Sequence, residues 1–275
     1  MSNKNPTWLA LVAMLAFGCG GDAEDDAGGE TQAAAPAVDP AIAATVSGTV
    51  TFTGTPPAAT PIDMSEEPVC AEKHSEPPTS PSVEVSDGNL ANVFVFVSEG
   101  LGDMTFPASS DAVVLDQNGC LYHPHVLGIQ VGQQLTIRNS DAVLHNINTR
   151  STANRPFNIS QPQAGMESTR TFNTAEVMIP VGCDVHGWMS AFIGVTAHPY
   201  HAVTGDDGSF TIEGLPPGEY VIEAWHETLG AQTMSVTVGE AETGTADFTY
   251  DENAAYDPVP MTEPLIVSHG GHGAG

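Results

Sequence analysis

Residues 205–220 read Gly205-Asp206-Asp207-Gly208-Ser209-Phe210-Thr211-Ile212-Glu213-Gly214-Leu215-Pro216-Pro217-Gly218-Glu219-Tyr220. Two turn signals, Asp-Asp-Gly and Pro-Pro-Gly, enclose a short run in which Phe210 and Ile212 alternate with polar residues. Successive side chains of a strand point to opposite faces, so this alternation sets an apolar face on a core and leaves the other to water. Pro and Gly at the flanks cannot continue a helix and favour tight turns. The same pattern extends outward. Tyr220/Ile222/Ala224, Met234/Val236/Val238 and Ala246/Phe248/Tyr250 alternate in turn, with a further turn at Glu227–Gly230. Upstream, Val46, Gly48, Val50 and Phe52 alternate with Ser and Thr, while Val93–Val97 is apolar on both faces, as for a central strand covered on both sides. Ile129-x-Val131 and Leu135-x-Ile137 flank Gly132-Gln133-Gln134, which reads as a bend or a hairpin. Nothing between 46 and 250 carries a convincing helical period. Strands at this spacing predict an all-β fold, a sandwich or a barrel.

Charge and composition narrow the partners. The 275 residues include 34 Asp+Glu against 6 Lys+Arg, a net charge of −28. Nothing here neutralises a run of phosphates, which excludes nucleic acid, and an anionic membrane surface is disfavoured for the same reason. At the N-terminus, the apolar run Trp8–Phe17 follows Lys4 and is too short to span a bilayer, which takes about 20 residues. It suits a secretory signal, so residues 1–18 are set aside from the fold. The following Ala16-Phe17-Gly18-Cys19-Gly20 resembles a bacterial lipobox, in which Cys19 becomes the lipidated first residue; Ala16-x-Gly18 would also serve an ordinary signal peptidase. The expectation is an exported protein of the periplasm or cell envelope, anchored through Cys19 as an outer-membrane lipoprotein. Residues 19–45 read as an acidic flexible tether and 251–275 as a disordered tail, in which His269 and His272 offer at most a weak metal pair.

The sharpest chemical signal lies in 112–198. Cys183-Asp184-Val185-His186-Gly187-Trp188-Met189 is a C-x-x-H-x-x-M loop between the apolar segments Val177–Val181 and Phe192–Val195. His145 follows the strand Leu135–Arg138 and the turn Asn139-Ser140-Asp141. One thiolate, two imidazoles and a thioether make the ligand set of a type 1 copper site, a trigonal His₂Cys plane with a long axial Met. The sulfur ligands favour Cu+, imidazole accepts both Cu+ and Cu2+, and a rigid β-scaffold holds a geometry that changes little when an electron arrives. Taken singly, His145 reads as a core histidine and Met189 as core filler, and Cys183 with His186 as half of a zinc site, for which Met is a poor partner. Together, in this order, they point to copper. His123-Pro124-His125 reads either as a second copper site or as two loop histidines. Cys70 either joins His74 on a metal or, as two leftover cysteines of an exported protein do, bonds Cys120 and clips the 62–90 loop to the first strand of 112–198. His226 is expected to make a structural hydrogen bond, and Asp206-Asp207 a turn rather than a calcium site. No nucleophile–base arrangement stands out, so no enzyme is expected.

From Val113 to about His198 the chain resembles the cupredoxins of the plastocyanin and amicyanin type, on its C-x-x-H-x-x-M loop and on Asn139-Ser140-Asp141-Ala142-Val143-Leu144-His145-Asn146. The resemblance implies one type 1 copper held by His145, Cys183, His186 and Met189. It implies that the Asn146 amide hydrogen-bonds the thiolate and ties the ligand loops together. It also implies that an outer edge of His186 reaches solvent and passes the electron, within a docking patch of Gly187, Trp188 and Ala191. Residues 205–220 resemble the carboxypeptidase-regulatory-like (prealbumin-like) β-sandwich, whose usual first strands sit upstream at Gly48-Thr49-Val50 and Ala91-Asn92-Val93-Phe94-Val95. That implies a Greek-key cupredoxin sandwich, 112–198, either inserted into a small prealbumin-like sandwich split between 46–111 and 199–250 or followed by it. Such modules also resemble carbohydrate-binding folds, although a spacer without a ligand is the plainer expectation. The expected function is an exported, membrane-anchored copper protein carrying single electrons by outer-sphere transfer to a redox protein such as a basic cytochrome c, steered by the acidic surface. A periplasmic copper carrier or sensor remains an alternative, as does a carbohydrate-binding module with a non-redox cupredoxin scaffold.

Overall fold

In the computed structural model, which describes residues 38–254, strand alternation translates directly into layers. The predicted signal, Cys19, residues 19–37 of the tether, and His269 and His272 of the tail lie outside the described residues. Upstream come β1 (Ala44–Thr53), a four-residue helix α1 (Pro68–Ala71), β2 (Val85–Ser86), β3 (Asn89–Leu90) and β4 (Phe94–Glu99). The middle holds β5 (Val113–Asn118), β6 (Leu121–His123), β7 (Val126–Gln130), β8 (Leu135–Asn139), β9 (His145–Thr149), β10 (Asn158–Gln161), β11 (Met166–Arg170), β12 (Glu176–Gly182) and β13 (Ser190–Thr196). Downstream lie β14 (His201–Val203), β15 (Ser209–Leu215), β16 (Gly218–His226), β17 (Gly230–Val238), β18 (Thr243–Thr245) and β19 (Phe248–Asp251). The described chain is thus nearly all β.

Strands far apart in sequence pair at both ends of the chain. β1 runs antiparallel to β15, with Val46 opposite Ile212, and parallel to β18 and β19, with Val50 opposite Phe248. Ala44 and Thr45, expected in the tether, already belong to β1. β4 lies between β14 and β16, with Val95 opposite both Ala202 and Ala224, and β17 completes that sheet. The two sheets enclose one apolar core that includes Val46, Val50, Val95, Val97, Phe210, Ile222, Phe248 and Tyr250. The middle segment makes its own sandwich, a five-stranded sheet β10-β9-β12-β13-β7 over a four-stranded sheet β11-β8-β5-β6. Leu115, Ile137, Ile147, Ile179, Val181 and Ile193 fill it. Gly132-Gln133-Gln134 is not a hairpin, because β7 and β8 belong to opposite sheets of this sandwich. The Gln133 side chain braces the crossover, accepting from the Gln130 N–H (2.9 Å) and donating to the Asp111 carbonyl (2.8 Å).

β4 is buried on both faces because it serves two cores. Val95 and Val97 face the first sandwich, while Phe94 and Phe96 form a third apolar cluster with Val126, Met178 and Phe192 of the second. Gly128 and Gly194 sit opposite one another on β7 and β13, and the Phe94 ring lies over them. A Cβ at Gly194 would stand 2.5 Å from a Phe94 ring carbon, closer than any real contact. Gly194→Val is therefore expected to force the sandwiches apart and cost about 1–3 kcal/mol, as overpacking does. Chemical denaturation followed by Trp fluorescence checks this, and an unchanged midpoint would contradict the close packing.

Candidate metal centre

The centre is built where two neighbouring strands end. β12 and β13 pair tightly, with Gly182 opposite Ser190, and residues 183–189 close the connection. The Cys183 N–H donates to the Met189 carbonyl (3.3 Å) and the Met189 N–H to the His186 carbonyl (2.9 Å), so three candidate ligands are folded into one short loop. His145 opens β9, the neighbour of β12, with Gly182 opposite Asn148. All four are buried: His145 is 0%, His186 1%, Met189 2% and Cys183 6% exposed. The Nδ1 atoms of His145 and His186 are 2.9 Å apart, and the Cys183 sulfur is 3.8 Å from Nδ1 of His186. A nitrogen of each histidine and the cysteine sulfur lie within 4.8 Å of one another. Met189 packs in the same core cluster.

An acidic residue that sequence reading left as part of a turn proves central. Asp141 is fully buried, and its Oδ2 accepts the Nε2–H of His145 (3.0 Å). Oδ2 also accepts the Cys120 N–H (2.7 Å), while Oδ1 takes the Gly119 N–H (3.0 Å) and the Lys73 ammonium (2.8 Å). Gly119 and Cys120 both have positive φ, 65° and 56°, in the two-residue turn between β5 and β6, where Asn118 pairs with Leu121. Such a turn aims two consecutive N–H groups at an anion. Burial alone would raise the Asp141 pKa, but these donors hold it far below the usual carboxylate range. With Nε2–H committed to Asp141, His145 presents its Nδ1 lone pair to the centre.

The remaining groups reinforce one another. Burial pushes His145 down, but Asp141 and the Cys183 sulfur more than offset it and raise its pKa. Burial and the neighbouring His145 lower His186. Burial would raise the Cys183 thiol, yet the adjoining His145 imidazole and hydrogen bonds from the backbone of Asn146, His186 and Val185 bring it below its ordinary value. The Asn146 side-chain oxygen faces the Cys183 sulfur (3.3 Å) and accepts the Asp184 N–H (2.7 Å), which ties β9 to the 183–189 loop. Its amide nitrogen is turned to Asn158 (2.7 Å) and Asp184 (2.9 Å), so contact with sulfur comes from the Asn146 backbone and carbonyl rather than from the side-chain N–H.

His186 does not reach solvent. The segment around α1 lies over it: Cys70 and Cys120 are joined by a disulfide, and the Cys70 sulfur is 3.8 Å from Nε2 of His186. Lys73 on Asp141 and the Nε2–H of His74 on the Gly119 carbonyl (2.7 Å) pin the same segment. The expected docking patch is corrected accordingly. Ala191 is fully buried, and Trp188 is half-buried, donating its Nε1–H to the Cys120 carbonyl (3.0 Å) and lying against the His186 ring; of the three residues only Gly187 is exposed. The large apolar side chains exposed nearby are Val69 (48%), Leu144 (43%) and Val185 (45%), each the chain neighbour of Cys70, His145 or His186. The expected Cys70–Cys120 bond is present and clips the 62–90 loop to this sandwich, but the sequence did not show that the clipped segment would lie over His186, because that depends on where the loop folds back.

The other sequence candidates do not gather into a second centre. His74 is taken by the Gly119 carbonyl. His123 meets the Asn118 carbonyl (3.2 Å), whereas His125 meets the Ser190 carbonyl (3.1 Å) and Glu227 (3.0 Å). His226 Nδ1 accepts the N–H groups of Thr228 (3.2 Å) and Leu229 (3.3 Å). Asp207 caps its own turn on Ser209. Among the described residues the one other convergence of ligand types is Cys120, Asp141 and His145, and there the cysteine is spent in the disulfide. The donor set that remains, two imidazoles, one thiolate and a buried thioether, fits copper. Zinc would want a further N, O or thiolate ligand, and Asp141, the carboxylate hydrogen-bonded to a candidate ligand, is engaged on the far nitrogen of His145.

Residues 190–251 match the family model of the carboxypeptidase regulatory-like domain. No curated protein matches the sequence. Among solved structures, the chain is similar to the copper-containing nitrite reductase of Thermus scotoductus, with 19% identity over 36% of this chain and 25% of that one and a TM-score of 0.30. It is similar to an amicyanin variant in the Cu(I) state, with 22% identity over 31% and 82% of the two chains and a TM-score of 0.28. A purple cupredoxin from Nitrosopumilus maritimus gives 22% identity over 32% and 100%, with a TM-score of 0.27. The chain spans a quarter of the nitrite reductase's length. These are weak likenesses of fold, and the centre stands on its own geometry.

Proposed function

We propose that this protein is a type 1 copper protein that carries single electrons by outer-sphere transfer and transforms no substrate. The observation that supports this most is the convergence of two imidazole nitrogens and a cysteine sulfur in a buried cluster beside Met189, on strands of a packed sandwich. Bound copper would supply a one-electron Cu+/Cu2+ couple. His145, Cys183, His186 and Met189 would hold it. The bracing of His145 by Asp141, and of the loop by Asn146, limits how far the ligands move between the two states. Hydrogen bonding from the backbone favours the thiolate form that a metal needs.

Burial of the ligands favours electron carriage over a copper carrier. Handing a metal to a partner by ligand exchange needs a ligand the partner can reach, and here the imidazoles and the thiolate are covered. Electron transfer needs no such contact. With His186 under α1, the partner would meet the surface near Val69, Leu144 and Val185. The net charge of −28 suits a basic redox protein, such as a cationic cytochrome c, arriving by salt-sensitive steering. Export and a lipid anchor at Cys19 complete the proposal and would hold the carrier at the cell envelope. A visible absorption spectrum of the full chain loaded with Cu2+ tests it. An intense blue thiolate-to-copper band is expected; a copper-loaded protein without colour would sink the reading.

A further inference from the structure

We infer that Asp141 is the positioning residue that orients the metal ligand His145, and that Lys73, reaching in from the covering segment, sets how strongly it does so. The inference rests on the copper reading of the centre and goes beyond it by assigning control of the metal to a residue outside the ligand set. Asp141 is buried without exposure, yet each oxygen has two donors: Gly119 N–H and Lys73 on Oδ1, Cys120 N–H and His145 Nε2–H on Oδ2. A carboxylate so held cannot rotate away, and neither can the imidazole bonded to it. Fixing Nε2–H fixes the tautomer that leaves Nδ1 facing Nδ1 of His186 at 2.9 Å. The anion also makes the imidazole a stronger donor, which favours Cu2+ over Cu+. Lys73 is part-exposed and neutralises some of that anion from the solvent side. The Cys70–Cys120 disulfide keeps it there, since Lys73 follows Cys70 by three residues and Cys120 itself donates to Asp141.

Two substitutions should therefore move the centre in opposite directions. Asp141→Asn removes the anion and should weaken Cu2+ binding about 10–100-fold, as loss of such partners does, and raise the reduction potential. Lys73→Met keeps the aliphatic stem but unmasks the anion, and should lower the potential. A purely structural role would loosen the fold in both variants without splitting the potentials. The test is Cu2+ affinity by competition, redox titration of the blue band, and ¹⁵N NMR of His145 in the metal-free full chain. Wild type should show the Nε2–H tautomer of His145 alone, and Asp141→Asn a mixture with Nδ1–H. An Asp141→Asn protein that stays folded with affinity within about threefold of wild type and an unchanged potential would overturn the inference, as would potentials that shift the same way in both variants. If wild type binds no copper, the electron-transfer reading fails by itself. Asp141 is then judged on the metal-free spectra: loss of the single tautomer in Asp141→Asn upholds the positioning role, and an unaltered spectrum refutes it.

Discussion

Cys183→Ser is expected to abolish the blue absorption of the copper-loaded protein outright and to weaken copper binding by well over about 100-fold, more than the loss of any supporting residue. The colour arises from charge transfer between the thiolate and the metal, so a hydroxyl cannot supply it. Serine is close to cysteine in shape, and Cys183 is buried where a backbone N–H and the Asn146 side-chain oxygen both face the side chain. The variant should therefore fold. Circular dichroism separates a folded, colourless protein from an unfolded one, and a chelator competition gives the affinity. Retained colour or unchanged copper content would mean that the metal sits elsewhere and that the C-x-x-H-x-x-M loop is only a tight turn.

The second large effect concerns the cover over His186. The Cys70–Cys120 disulfide spans 50 residues of sequence and, in the chain-entropy account, contributes about 4 kcal/mol by restricting the unfolded chain. Replacing both cysteines with serine should lower the thermal midpoint by roughly 8–16 °C for a domain of this size. The local consequence is sharper. The Cys70 sulfur is the group seated against Nε2 of His186, and Lys73 and His74 would be left to hold α1 through single polar contacts. The imidazole edge should open to solvent, and a chelator should strip copper faster from the variant than from wild type at the same temperature. Stripping at an unchanged rate would show that the disulfide stabilises the chain without guarding the metal.

Much of this protein was legible from side-chain order. Alternation with period two at Phe210/Ile212, Tyr220/Ile222/Ala224 and Val46/Val50/Phe52 marks strands because it is the only arrangement that puts those side chains on one core face. The doubly apolar Val93–Val97 announced a strand with two covered faces, although which cores it served was not readable. Cys183, His186 and Met189 stand within seven residues, so a loop that closes on itself had to bring them together. The turn at Gly132-Gln133-Gln134 was less legible, since a bend within a sheet and a crossover between sheets use the same residues.

By itself, then, the sequence determined the β-architecture, the acidic character of the surface and the cluster of soft and imidazole donors. These follow from local spacing and composition, which need no knowledge of distant contacts. Only the tertiary structure decided that Asp141 braces His145, that Lys73 neutralises Asp141, and that α1 with the Cys70–Cys120 bond shuts His186 away from solvent. Asp141 and His145 stand only four residues apart, but the carboxylate is held in place by Gly119, Cys120 and Lys73, tens of residues away, and the cover over His186 likewise joins segments distant in the chain. A buried carboxylate or a covered imidazole is defined by what surrounds it, and no neighbour in the chain records that.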